Sequence, residues 1–235
     1  MFKFFAVVAR LTFIIGTFVF PLTALAGSCI CLACAFNPKL ENFRAFSESM
    51  APTFDTGDCA VMRHIDPSEE PIQRGDAIGY ESQSDQKIYI FRVIAIAGDS
   101  VALRGGQVFL NGKLLPQLFQ RRDETIVSKD GRSTKCETEA LPREACTKSR
   151  FSETMPNGRS YEVFDTGKTP GDDMAEIVVP ELQVFVLGDH RDNAFDSRYS
   201  QAIGGPGTIR LQQVRGIFDG PRWLTVCVTD VRIES

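Results

Sequence analysis

Residues 11–36 read LTFIIGTFVFPLTALAGSCICLACAF, with no charged side chain, and the bases Lys3 and Arg10 stand just before them. A run of about 20 apolar residues is enough to cross the hydrocarbon core of a bilayer. The bases hold the short N-terminus on the cytoplasmic side and send the remainder outward. This one feature predicts residues 1–10 as a cytoplasmic N-terminus, 11–36 as a single transmembrane helix and 37–235 as an exported domain. The rival reading is a cleaved leader, because Ala24-Leu25-Ala26 has the small-x-small form of a processing site. Either way the domain is exported, and a disulfide between Cys136 and Cys146 becomes plausible there, with two free thiols as the alternative.

After residue 36 helical periodicity is scarce and short β-rich runs dominate: 59–65, 77–81, 88–97 and 100–115. Gly105-Gly106 and Asn111-Gly112 suit the positive φ of tight hairpin turns. Residues 116–176 turn charged and are punctuated by Pro and Gly, which reads as an inserted segment or small extension. Strands resume with EIVVP and LQVFVLGD. The expected fold is mainly β and antiparallel, with a small β extension, behind one N-terminal membrane helix.

Composition narrows the chemistry. A net charge of −4 removes nucleic acid as the default partner. His64 and His190 are the only histidines, and no second C-x-x-C pair completes a metal knuckle, so neither a metal nor another cofactor is expected.

Three stretches carry the candidate chemistry. The first is Ser47-Glu48-Ser49-Met50-Ala51-Pro52-Thr53. The second runs Arg92-Val93 to Gly98-Asp99, and the third is Gly188-Asp189-His190-Arg191-Asp192-Asn193-Ala194-Phe195-Asp196-Ser197-Arg198. Singly, a Ser-rich loop and an ion-paired loop need no function. Together and in this order they resemble bacterial type I signal peptidases, membrane-anchored serine proteases that remove leader peptides from exported proteins.

That resemblance implies an antiparallel β fold with an apolar surface near the serine that dips into the lipid membrane. It implies location in the bacterial cytoplasmic membrane, single-pass, with the C-terminal domain outside, and exported preproteins as partners. It makes Ser49 the nucleophile and gives its N–H and the Ser47 hydroxyl the oxyanion hole. Met50 and Pro52 would shape the turn that presents Ser49. Arg92 would pair with Asp189, and Asp196 with Arg198.

The base is where the sequence departs. In the family a lysine directly precedes Arg-Val and takes the serine proton, its pKa lowered by burial. Here that position is Phe91, which has no lone pair to offer. A serine that orients the lysine usually precedes x-Asp-Ser-Arg, and here that position is Ala194. Lys87, four residues before Phe91, lies about 13 Å away at strand rise. His190 is the candidate substitute base, since an imidazole titrates in a suitable range, against the plainer reading of a surface or ion-paired histidine. Two functions follow: a serine endopeptidase cutting leader peptides after small residues with an unusual or missing base, or an inactive relative that binds leader peptides or membrane partners without cutting.

Overall fold

The computed structural model describes residues 29–128, 135–219 and 226–227. The domain begins with a two-residue strand β1 (Cys29–Ile30), a short helix α1 (Leu32–Phe36), β2 (Leu40–Arg44) and β3 (Cys59–His64). Next come β4 (Ala77–Glu81), β5 (Ile88–Ile96), β6 (Ser100–Arg104), β7 (Gln107–Leu110), β8 (Lys113–Leu114) and β9 (Gln117–Ile126). The chain continues through β10 (Ala145–Thr154), β11 (Ser160–Asp165), β12 (Met174–Val178) and β13 (Gln183–Leu187), and ends its described part with β14 (Ile209–Arg210), β15 (Val214–Ile217) and β16 (Val226–Cys227).

Seven strands form the main sheet in the order β14-β13-β5-β4-β15-β3-β2, with antiparallel pairing throughout. A four-stranded sheet, β12-β6-β7-β8, packs beside it. Its hairpins turn at Gly105-Gly106 and Asn111-Gly112, all four residues at positive φ, as the sequence predicts. The polar segment after residue 116 forms a third antiparallel sheet, β11-β10-β9, so the extension is β as expected.

Strand β13 shows why the core divides in two. Side chains alternate faces along a strand. Val184 and Val186 therefore enter one apolar cluster with Phe91, Val93, Ile78 and Met50, while Phe185 and Leu187 enter another with Ile94, Val101, Leu103 and Val163. Strands β5 and β13 are buried on both faces, which explains their unbroken apolar runs.

The N-terminal end differs from the expected anchor over residues 29–36. Cys29–Ile30 pairs antiparallel with Val226–Cys227. Disulfides join Cys29 to Cys59, the first residue of β3, and Cys31 to Cys34. The tail of the apolar run is thus stitched to the domain; the rest of the expected anchor, 11–28, lies outside the described residues. Among the described residues no helix is long and apolar enough to cross a membrane. Cys136 and Cys146, for which the sequence leaves both a disulfide and two free thiols open, are bonded to each other at the end of the β9–β10 ribbon.

Candidate functional site

The serines sit in the loop between β2 and β3. Its ends are tied by Ala45 N–H donating to the Asp58 carbonyl and Gly57 N–H to the Ala45 carbonyl, both at 2.8 Å. Met50, Ala51 and Phe54 are buried, so the loop is plugged into the first core cluster by its own apolar residues. That leaves the polar alternates outward: Ser47 Oγ and Ser49 Oγ lie 3.0 Å apart at the surface of a groove.

Strand β5 and the loop after β13 back this serine loop. The Arg92 guanidinium grips Asp189 with two parallel bonds, Nε to Oδ1 at 2.7 Å and Nη2 to Oδ2 at 2.6 Å. It also donates to the Gly75 carbonyl and to Thr53 Oγ1, and the Thr53 hydroxyl donates to Asp189 in turn. Arg198 holds Asp196 in the same forked manner, and Asp196 accepts the Gly188 N–H at 2.9 Å. Both expected ion pairs are therefore in place and buried.

Backbone contacts then fix Ser49 itself. His190 N–H donates to the Ser49 carbonyl at 3.1 Å. Gly188 packs so tightly that a Cβ there would lie 2.5 Å from that carbonyl oxygen and 2.2 Å from Ala194 Cβ. No side chain fits, which is why a glycine stands at this strand end.

The extension supplies a contact that the sequence reading missed. Lys148, buried on β10, reaches the Glu48 carboxylate at 2.8 Å, between the two serines. From the same sheet, Phe164 N–H donates to the Asp189 carbonyl at 2.9 Å, and Glu153 pairs with Arg191 in full burial. Thr166 bonds Asp192 through its N–H and hydroxyl. A lysine a hundred residues away carries no local signal, so pattern reading could not have paired it with Glu48.

The groove beside Ser49 encloses about 650 Å³. Phe91 forms part of its floor, buried and stacked on Tyr80 with ring centroids 6.2 Å apart, and Tyr80 stacks in turn on Tyr89. The remaining lining is hydroxyl, amide, glycine and apolar, and includes Asn193, Phe195, Ser82, Ser84 and Gln213. No Lys, Arg, His, Asp or Glu is among the described residues that line it. Among the described lining residues the titratable side chains besides the serines are tyrosines, and burial pushes the Tyr80 hydroxyl up, away from any role as a base near neutrality.

His190 is not in that groove. Its ring is fully buried and edge-on to Phe164 at 5.5 Å. Burial first, and then the Lys148 ammonium, pull its pKa down to about 3. The expected substitute base is thus turned into the protein, and it is neither a surface nor an ion-paired histidine. Its backbone, not its imidazole, meets Ser49. His64 lies at the exposed end of β3, its Nε2 against the Glu41 carboxylate and its Nδ1 against the Arg215 backbone carbonyl, and Lys87 pairs with Asp85 on the surface. Among the described residues no cluster of His, Cys, Asp or Glu is placed to hold a metal ion.

A sequence model of the family described as signal peptidase, peptidase S26, matches residues 4–223. The chain is 27% identical over 187 residues to signal peptidase I of Bacillus caldolyticus, covering 78% of this chain and 79% of that one. It is 30% identical over 139 residues to signal peptidase I of Rickettsia prowazekii, covering 56% of this chain and 46% of that one. This chain thus spans less than half the length of that rickettsial relative. Among solved structures, a signal peptidase I from Enterococcus faecalis is similar over 63% of this chain and 97% of that one, with 21% identity and a TM-score of 0.34.

Proposed function

Because the chain belongs to the signal peptidase family, peptidase S26, we propose that its groove receives the leader peptides of exported preproteins and holds them without the base that would let Ser49 cut at a useful rate. One observation carries this reading: the groove presents two serine hydroxyls 3.0 Å apart and, among the described residues, no amine, imidazole or carboxylate. A serine hydroxyl attacks a carbonyl only as its proton leaves, and loss of a general base typically costs 10²–10⁴ in rate. What remains is the part that binds and polarises. An extended peptide laid in the groove meets the Ser49 N–H and the Ser47 hydroxyl as donors, and aromatic walls at Tyr80, Phe91 and Phe195. The chain is further proposed to be anchored in the bacterial cytoplasmic membrane by residues 11–28, with the β domain on the exported side. That stretch is at the short end of what a span needs.

The second reading is a working serine endopeptidase that cuts leader peptides after small residues. It is favoured by the Ser47–Ser49 pair, which a pure binder does not require, and by the buried supports Arg92–Asp189 and Asp196–Arg198 that hold it. The test compares the full chain, Ser49→Ala, and Phe91→Lys with Ala194→Ser on a preprotein carrying Ala-x-Ala before its cut. The binding reading expects no cleavage by the parent within hours, binding that survives Ser49→Ala, and cleavage by the double variant. A lysine at 91 would be buried beside Tyr80 and so share the lowered pKa a base needs. Cleavage by the parent that vanishes in Ser49→Ala decides for the enzyme instead.

A further inference from the structure

The sheet β11-β10-β9 has one covered edge and one open edge. Its β11 edge is taken up by the loop after β13, through the Phe164 N–H on the Asp189 carbonyl and a bridge from Phe164 to His190. Its β9 edge is ten residues long, and among the described residues no strand pairs with it. Such an edge presents its outward N–H and C=O groups to any strand that fits.

The register shows which residues face outward. Glu137 N–H donates to the Thr147 carbonyl, so Thr147 turns its backbone groups away from β9, and Ala145, Ser149 and Phe151 do the same by alternation. Their partners Ile126, Glu124, Arg122 and Phe119 therefore turn theirs to the open edge. The side chains of these four share one face, because Gln120 is the extra residue of a bulge that brings Phe119 into step with Arg122. Phe119 meets the Phe151 ring, and Arg122 and Ser149 both reach Glu137, as that alternation requires. All four are exposed, Phe119 by 52% and Ile126 by 68%. In chain order the face runs apolar, positive, negative, apolar, and that order is its own complement when reversed.

We propose that the β9 edge pairs antiparallel with the same edge of a second copy of this chain, about a two-fold axis at Asp123. Arg122 then opposes Glu124 on both sides of the axis, and Phe119 opposes Ile126 at both ends. The contact is self-complementary and closes as a dimer. Sliding one strand by two residues sets Arg122 against Arg122 or Glu124 against Glu124, and like charges directly opposed are destabilising. Asp123 meets its own copy at the axis, but each Asp123 is already held by Arg121 and Arg150 of its own chain. Charges and bulges also serve to keep edges from pairing. An edge guarded by one sign repels every register, whereas this one repels the two neighbouring registers and admits the one between. The pairing does not depend on whether Ser49 cuts or only binds.

The test is sedimentation velocity of the full detergent-solubilised chain across concentrations, with Arg122→Glu, Glu124→Arg and the two combined, each checked for folding by circular dichroism. The parent is expected to dimerise. Each single reversal sets like charges opposite each other on both sides of the axis and is expected to weaken the dimer by roughly tenfold or more. The combined variant restores opposite charges and is expected to recover it. A parent that stays monomeric up to its solubility limit overturns the proposal and leaves the edge to a foreign strand. A dimer that neither single reversal moves is held by another face and overturns it too, as does a folded combined variant that stays weak. Hydrogen exchange of the parent alone tests the same edge without any variant: the Arg122 and Glu124 amides should slow as the chain is concentrated, and unchanged rates in a dimeric sample place the contact elsewhere.

Discussion

Replacing Arg92 with methionine is expected to destabilise the domain by about 3–5 kcal/mol, the range for a buried ion pair that loses one partner. The geometry puts this pair at the upper end. The Arg92 and Asp189 side chains are 8% and 0% exposed, so water cannot replace the lost guanidinium. Asp189 would keep the Thr53 hydroxyl and lose both forked bonds, while the Gly75 carbonyl would lose its donor. Most of the cost is therefore the stranded carboxylate rather than the attraction itself, and this makes a second prediction within the first. Asp189→Asn added to Arg92→Met removes that charge, so the double variant should cost less than the sum of the singles by about 1–3 kcal/mol, the coupling of groups in one network. The assay is urea unfolding of the solubilised chain followed by far-ultraviolet circular dichroism, with all four members of the cycle at one pH. A single-variant loss below about 1 kcal/mol, or strict additivity, would refute the reasoning, because each means that the carboxylate finds solvent or another partner.

Other perturbations test other parts. Gly188→Ala is expected to lower the melting temperature and displace the serine loop, since its Cβ would fall 2.5 Å from the Ser49 carbonyl; overpacking of this kind costs about 1–3 kcal/mol, and an unchanged melting curve would show that the strand end yields. His190, held at about 3, binds its proton less well folded than unfolded, so it contributes stability that is present above about 6.5 and lost as pH falls toward 3. His190→Leu, measured by unfolding at pH 5 and pH 7, should therefore recover about 1–2 kcal/mol at the lower pH relative to the higher; equal changes at both would argue that the ring is solvated. Asp165 has the opposite sign. Burial first, and then the Asp192 carboxylate, raise it to about 6, so its contribution is complete below about 4 and lost as pH rises through 6, and Asp165→Asn should flatten that fall.

Strands were legible where their chemistry was local. Ala77–Glu81 and the hairpins at Gly105-Gly106 and Asn111-Gly112 follow from alternation and turn residues alone. The β9–β10–β11 sheet was harder, because its strands carry charges where a buried face would carry apolar groups. Those charges are matched across strands, with Arg150 between Asp123 and Glu162 and Arg122 beside Glu137. Residues 29–36 misled for a simple reason: Leu, Ala, Cys and Phe have the same hydropathy in a bilayer as on a disulfide-stitched edge. Within the site, Ser47, Ser49, Phe91 and the two ion pairs were readable because each lies in a contiguous motif. The burial of His190 was not, since its neighbours Asp189, Arg191 and Asp192 look solvated in sequence and are all paired inward in space.

The ties from the extension to the serine region bear on how this fold can be rebuilt. Lys148 on Glu48, Phe164 on Asp189, Glu153 on Arg191 and Thr166 on Asp192 all cross from one stretch of chain to the next. A transplant that moved only the three motifs into another β scaffold would leave Glu48, Arg191 and Asp192 without their counterions and donors. A loop-shortened version that trimmed 116–176 to a turn would do the same. Chimeras with relatives should therefore exchange strands β9–β11 and the serine loop as one cassette.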